Sequence, residues 1–189
     1  MIHPHFFIAV PISEASKVFI HHWLKTKKNE LLFNTWVHQQ DYHITLAFLG
    51  HVEEKEQLRL LSERVKEIAA SIPSFDLTLK GLDVFGRQDS PRIFWAGIEN
   101  SSPLHYLQKQ VFHACNDVGF ILDSKPFHPH ITLARKWRSE KPYVQTTKLQ
   151  HVFESENHTF LIENIHIYRT HTDRIPKYES IDVFLLKDR

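Results

Sequence analysis

The sequence predicts a protein of mixed helices and strands, folded as two similar halves packed into one unit, and three observations predict it. The pentapeptide HITLA is spelled at residues 43–47 and again at 130–134, and an internal repeat of this kind points to a duplicated half. Each copy follows an apolar strand and an amphipathic helix, and Phe7 precedes His43 by 36 residues just as Phe94 precedes His130. No stretch rich in Gly, Ser or Pro separates the halves, so residues 1–189 read as a single two-lobed domain with a first half of about 1–90 and a second of about 91–189.

Taken in order, Phe6 to Val10 reads as a buried strand. Ser13 caps a helix that reaches about Lys28, with Ala15, Val18, Phe19 and Trp23 on its apolar side and Lys25, Lys27 and Lys28 at its C-terminal end. A connecting stretch through Trp36 and Val37 leads to the first motif strand, Tyr42 to Leu49, stopped by Gly50. A second helix covers about Glu53 to Ala70; Leu58, Leu61, Val65 and Ile68 are spaced by three and four, and Pro73 ends it. Strands follow over Phe75 to Lys80, over Leu82 to Phe85 as a continuation or bulge after Gly81, and over Arg92 to Ile98. Ser102 caps a third helix with Pro103 in its first position, the stripe Leu104, Leu107, Val111, Cys115 and Val118 faces the core, and Gly119 closes it. Beyond the second motif a polar segment runs to about His158, and two more strands cover Phe160 to Thr170 and Ser180 to Leu186.

Composition narrows the class. With 189 residues, 42% of them hydrophobic, the chain can bury a real core. Cys115 is the single cysteine, which excludes a disulfide framework and a thiolate zinc cluster and fits a cytoplasmic protein; on the helix stripe it reads as packing. The run Phe6 to Ile12 is short, broken by Pro11 and without a basic leader, so it reads as a strand, and no apolar stretch is long enough to span a membrane. The net charge is +1, with 10 basic and 11 acidic residues in 1–90 and 13 and 11 in 91–189, which argues against broad nucleic-acid binding and leaves only local contacts. The one basic cluster, Arg135, Lys136, Arg138 and Lys141, follows the second motif. Fifteen histidines raise the question of metal, yet the close pairs His3 and His5, His21 and His22, and His128 and His130 come without H-E-x-x-H or a carboxylate at helical spacing. No metal or other cofactor is expected, nor an obligate oligomer.

Within HITLA, polar and apolar residues alternate, and successive strand side chains point to opposite faces. His43 and Thr45 therefore share one face while Ile44 and Leu46 enter a core, and His130 and Thr132 do the same above Ile131 and Leu133. Two imidazoles and two hydroxyls can converge on one small ligand, with Arg135 five residues after the second histidine. Imidazole gives or takes a proton near neutral pH, so a pair flanking one atom can supply both acid and base, while hydroxyls and a guanidinium suit an anion. No glycine loop for a nucleoside triphosphate and no G-x-S-x-G are present. The remaining chemistry is cleavage of a phosphodiester between two histidines, in line and without metal.

These residues, in WVHQQDYHITLAFLG and PFHPHITLAR, resemble the paired H-x-T-x motifs of the 2H phosphoesterase superfamily, and within it the RNA 2′,3′-cyclic phosphodiesterases long called 2′-5′ RNA ligases. The resemblance covers essentially the whole chain. It implies a bilobal α+β fold in which two pseudo-symmetric halves each contribute an antiparallel sheet and helices, with the motif strands lining a central cleft. It also implies hydrolysis of a 2′,3′-cyclic phosphate at an RNA end to a 2′-phosphomonoester, with His43 as proton donor, His130 as proton acceptor and Thr45, Thr132 and Arg135 binding the phosphate. The partners implied are RNA ends or nucleotides carrying that cyclic phosphate. Alternatives are 2′-5′ ligation of RNA ends and a non-catalytic RNA-end or nucleotide-binding module. Phe48, Phe127 and Trp137 are candidate stacking residues for bases.

Overall fold

In the computed structural model, residues 4–189 are described, so His3 of the His3 and His5 pair lies outside them. The elements follow as β1 (His5–Pro11), α1 (Glu14–Lys27), β2 (Phe33–Trp36), β3 (His43–His51), α2 (Lys55–Ser71), β4 (Phe75–Gly86), β5 (Pro91–Ile98), α3 (Ser102–Asp117), β6 (His130–Trp137), the single turn α4 (Thr147–Gln150), β7 (Thr159–Ile162), β8 (Asn164–Thr170) and β9 (Tyr178–Leu185). Local chemistry sets their ends. Ser13 Oγ accepts from the Ser16 amide at 3.2 Å, and Ser101 Oγ from that of Leu104 at 3.3 Å, each satisfying an amide with no helical partner. The cap of α3 is therefore Ser101, one residue before the expected Ser102, which leaves Pro103 in the second helical position.

The nine strands form one sheet in the order β7-β4-β5-β6-β3-β1-β8-β9, with β2 paired to β6. The motif strands β3 and β6 are its centre, joined at Ile44 and Ile131. One arm runs outward from β3 through β1, β8 and β9, the other from β6 through β5, β4 and β7. These arms do not follow the division of the sequence near residue 90, because β4 sits beside β5 while β8 and β9 sit beside β1. The expected strand from Phe160 to Thr170 is in fact two, parted at Glu163. β7 lies along the first residues of β4, Phe75 against Ile162 and Thr78 against Thr159, and β8 then leaves for the other arm.

One face of the sheet carries the core. Ile44, Leu46, Ile131 and Leu133 are at most 3% exposed and share a single buried cluster with Ile20 and Leu24 of α1, Leu61 and Val65 of α2, and Leu104, Leu107 and Val111 of α3. Each such aliphatic side chain contributes about 2 kcal/mol by burial. On α1 the apolar side expected at Ala15 and Val18 is instead exposed, and Ser16, Ile20 and Leu24 face inward. Phe19 and Trp23 lie between, packed on Phe153. Ser16 is tolerated inside because its hydroxyl bonds Ser13 Oγ at 2.9 Å and His158 Nε2 at 2.8 Å.

A bulge interrupts both motif strands at the same place. Ile8 and Ala9 pair with Ala47 and Thr45, and Phe94 and Trp95 pair with Ala134 and Thr132, so Leu46 and Leu133 are the extra residues. Their carbonyls find donors outside the ladder, Gln108 Nε2 at 3.3 Å for Leu46 and the Val37 amide at 2.9 Å for Leu133. This register equates Ile8 with Phe94, whereas equal spacing in the sequence equates Phe7 with Phe94. One residue of offset turns a strand over. Phe7 accordingly lies against His43, ring centres 4.8 Å apart, while Phe94 stacks in the core on Phe33 at 5.1 Å.

Candidate active site

The face of the sheet opposite the core brings together His43, Thr45, His130 and Thr132, all half-buried. Antiparallel register about the Ile44 and Ile131 pair sets His43 across from Thr132 and Thr45 across from His130, within the reach of cross-strand neighbours. The bulges add a further residue to this face. Strict alternation would put the sixth residue of each copy on the core side, but both copies show the same burial pattern, ending in two buried residues and then an exposed one. The exposed residue is Phe48 in the first copy and Arg135 in the second. The Arg135 charge bears on both histidines and on the Tyr178 hydroxyl.

Both imidazoles are anchored alike. His43 Nδ1 lies 2.7 Å from the Asp41 carbonyl and His130 Nδ1 lies 2.8 Å from the His128 carbonyl. A carbonyl can only accept, so each Nδ1 carries its proton and Nε2 is the position left for chemistry. Thr45 Oγ1 is 3.1 Å from His43 Nε2. Burial lowers the affinity of both rings for a second proton, and for His43 it outweighs the raising effect of the Asp41 carbonyl and brings the pKa to about 4. His130 moves in the same direction, burial again first among the causes, with the Arg135 charge contributing. An anion entering between them opposes these effects and draws protons onto the pair.

Aromatic walls produce the burial. Around His43 stand Phe7 at 4.8 Å, Tyr178 at 5.1 Å and Tyr168 at 5.9 Å between ring centres, and around His130 stand Phe85 at 4.9 Å and Trp95 at 6.0 Å. Asp41 holds one wall in place. Its carboxylate, on a residue 4% exposed, accepts from the backbone amides of Lys177 and Tyr178 at 2.9 and 3.1 Å, tying the turn between β8 and β9 to the first motif. Asp41, Tyr168, Tyr178, Phe85 and Trp95 were not singled out by the sequence. Only Asp41 left a signal, as the residue two before His43, where the second copy has His128.

The other candidates separate clearly. Trp137 packs on Phe33 and Tyr143 and donates its indole N–H to the Lys141 carbonyl at 2.9 Å, so it belongs to the wall of the core. Phe127 is half-buried against His105, and Phe48 is 57% exposed. Lys136, near the end of β6, and Arg138 and Lys141 beyond it are exposed. Among the described residues, no three His, Cys, Asp or Glu side chains are grouped to hold a metal ion, and no helix is long and apolar enough to cross a membrane. The set can present two proton carriers, two hydroxyls and one guanidinium to a small anion.

Comparison with known proteins places this geometry. The chain is 42% identical over 182 residues to an RNA 2′,3′-cyclic phosphodiesterase of Geobacillus stearothermophilus, a match that takes in 96% of this chain and 57% of that protein. The chain thus spans little more than half the length of that relative. It is 38% identical to the RNA 2′,3′-cyclic phosphodiesterase of Bacillus subtilis, over 98% of each. Its fold is similar to the crystal structure of Escherichia coli LigT complexed with 3′-AMP, with a TM-score of 0.79 at 24% identity, covering 97% of this chain and 99% of that one. The family model of the 2′-5′ RNA ligase superfamily matches residues 13–174, a span that holds both HITLA strands and Arg135, and the chain belongs to that superfamily.

Proposed function

We propose that the chain is an RNA 2′,3′-cyclic phosphodiesterase, hydrolysing a terminal 2′,3′-cyclic phosphate to a 2′-phosphomonoester without metal. The observation that carries this reading is the pair of imidazoles, each with Nδ1 held by a backbone carbonyl so that Nε2 is the nitrogen left for proton transfer, set on adjacent antiparallel strands. The phosphate lies between them, its oxygens met by Thr45, Thr132 and Arg135. Water attacks phosphorus from the side of His130, which takes its proton as the new P–O bond forms. The bond from phosphorus to the 3′ oxygen breaks on the opposite side, and His43 gives that oxygen a proton. Hydroxyl and guanidinium donors gain most as charge builds on the phosphoryl oxygens in the transition state. The relatives named for this activity support the substrate class.

The test is incubation of the purified protein, in EDTA, with an RNA oligonucleotide ending in a 2′,3′-cyclic phosphate. A 2′-phosphate should appear with the wild type and fall by about a hundredfold or more in His43→Ala and His130→Ala. Unchanged RNA that still binds would make the protein an RNA-end binding module, and joined ends would make it a ligase.

A further inference from the structure

Resting on the reading above, the neighbours of β6 show how the catalytic base is kept in place. Trp95 and Gly97 lie two residues apart on β5, on its cleft face, with Trp95 across from Thr132 and Gly97 across from His130. A Cβ on Gly97 would come within 3.1 Å of Trp95 Cζ3, so the indole is laid over the glycine, beside His130. Gly97 is not one of the glycines with positive φ; the room taken by the ring, and not backbone freedom, calls for glycine here. From this seat the indole meets two imidazoles, His128 at 4.9 Å and His130 at 6.0 Å between ring centres, with Phe85 against it at 4.9 Å. His128 supplies the carbonyl that holds His130 Nδ1. One rigid ring thus bears on both the anchor and the imidazole that is anchored. We propose that Trp95, seated over Gly97, is a positioning residue for the base, holding the His128 carbonyl and the His130 ring in the orientation that leaves Nε2 for the attacking water.

Two features set this indole apart from ordinary packing. Trp95 is 6% exposed, and its Nε1 is a buried donor with no acceptor among the described residues. An unmet donor costs about 1–3 kcal/mol, a cost that phenylalanine would not carry, so the larger ring stands here against stability. The second feature is its absence from the other arm. The residue across from Thr45, equivalent to Trp95, is Ala9, and His43 is enclosed instead by Phe7, Tyr168 and Tyr178. The seat over glycine therefore belongs to the base alone. The charged groups that bear on His130 are His128 and Arg135 from its own stretch of chain, while β4 and β5 meet it with the rings of Phe85 and Trp95.

The experiment is a double-mutant cycle on Gly97 and Trp95, read as kcat, KM and the pH profile on an RNA oligonucleotide ending in a 2′,3′-cyclic phosphate. Gly97→Ala pushes the indole off its seat and should lower kcat about tenfold with KM nearly unchanged, as expected of a catalytic group displaced by a fraction of an ångström. Displacing the ring also admits water, so the imidazole regains affinity for a second proton and the acid limb of kcat/KM moves to higher pH. Trp95→Phe should do both by itself, and in that background Gly97→Ala should cost nothing further, because the smaller ring has no Cζ3 edge over residue 97. Equal losses from Gly97→Ala in the two backgrounds, a loss confined to KM, or an unmoved acid limb would overturn the assignment. Should Gly97→Ala fail to fold, Trp95→Phe alone decides, since wild-type kcat with an unmoved acid limb rejects the role. Absence of turnover in the wild type would count against the reading above and not against this one, which is then read from the 15N shifts of the His130 ring. These should show a single Nδ1-protonated form in the wild type and a mixture of forms in Trp95→Phe, and identical shifts in the two proteins would reject the role.

Discussion

The two copies of HITLA share their anchors and differ in their surroundings. Both histidines give Nδ1 to a carbonyl two residues earlier, and both strands bulge at leucine. Yet His43 is closed in by Phe7, Tyr168 and Tyr178 and touched by Thr45, while His130 meets Phe85 and Trp95 and has Arg135 on its own strand. Symmetry sets two imidazoles on adjacent strands, and departure from symmetry tells them apart. The aromatic part of the difference resides in residues that neither motif contains.

The largest effects should come from the histidines, and pH distinguishes them. Each alanine variant should lose about a thousandfold in kcat/KM, within the range for general acid–base groups. A base must be unprotonated and an acid protonated, so in His130→Ala the acid limb of the kcat/KM profile should vanish, and in His43→Ala the alkaline limb. Both rings of the free site hold their second proton less tightly than ordinary imidazole. The wild-type kcat/KM should therefore peak on the acid side of 6.5, the two limbs belonging to the pair together. The bound phosphate anion raises both, so kcat should peak at higher pH. Identical limbs in the two variants would break the assignment of acid and base, and a flat profile would break both roles.

Arg135→Ala should lose about a hundredfold in kcat, as a donor that works on developing charge. An effect confined to KM would mean that Arg135 merely holds substrate. Asp41→Asn should be milder, about tenfold in kcat/KM, because an amide cannot accept from both the Lys177 and Tyr178 amides and leaves a buried donor unmatched. The accompanying sign is an alkaline limb that moves while the acid limb stays, since Tyr178 walls His43 and not His130. Movement of both limbs would place Asp41 in general stability instead.

Much of this site was legible because its chemistry is local. His43, Thr45, His130 and Thr132 follow from alternation in a five-residue repeat, and the structure puts Ile44, Leu46, Ile131 and Leu133 in the core as that alternation requires. What was hidden depended on partners far along the chain. The bulges are invisible in the pattern because they arise from pairing with β1 and β5, and only they explain how Arg135 reaches the face of His130. The inward face of α1 could not be read from hydrophobicity when Ser16 is buried on a histidine 142 positions away. The parting at Glu163 escaped notice because both flanks are equally apolar, and Tyr178 carries no motif at all.

The exchange of strands between the arms has a consequence for how the chain reaches its native state. Neither half of the sequence contains all the strands of either arm, since Phe6 must find Arg169 and Phe75 must find Ile162 before both sides are complete. Loop closure over such separations is slow, so folding should be one late cooperative event. A nick near residue 90 should leave two pieces that hold together but do not refold apart.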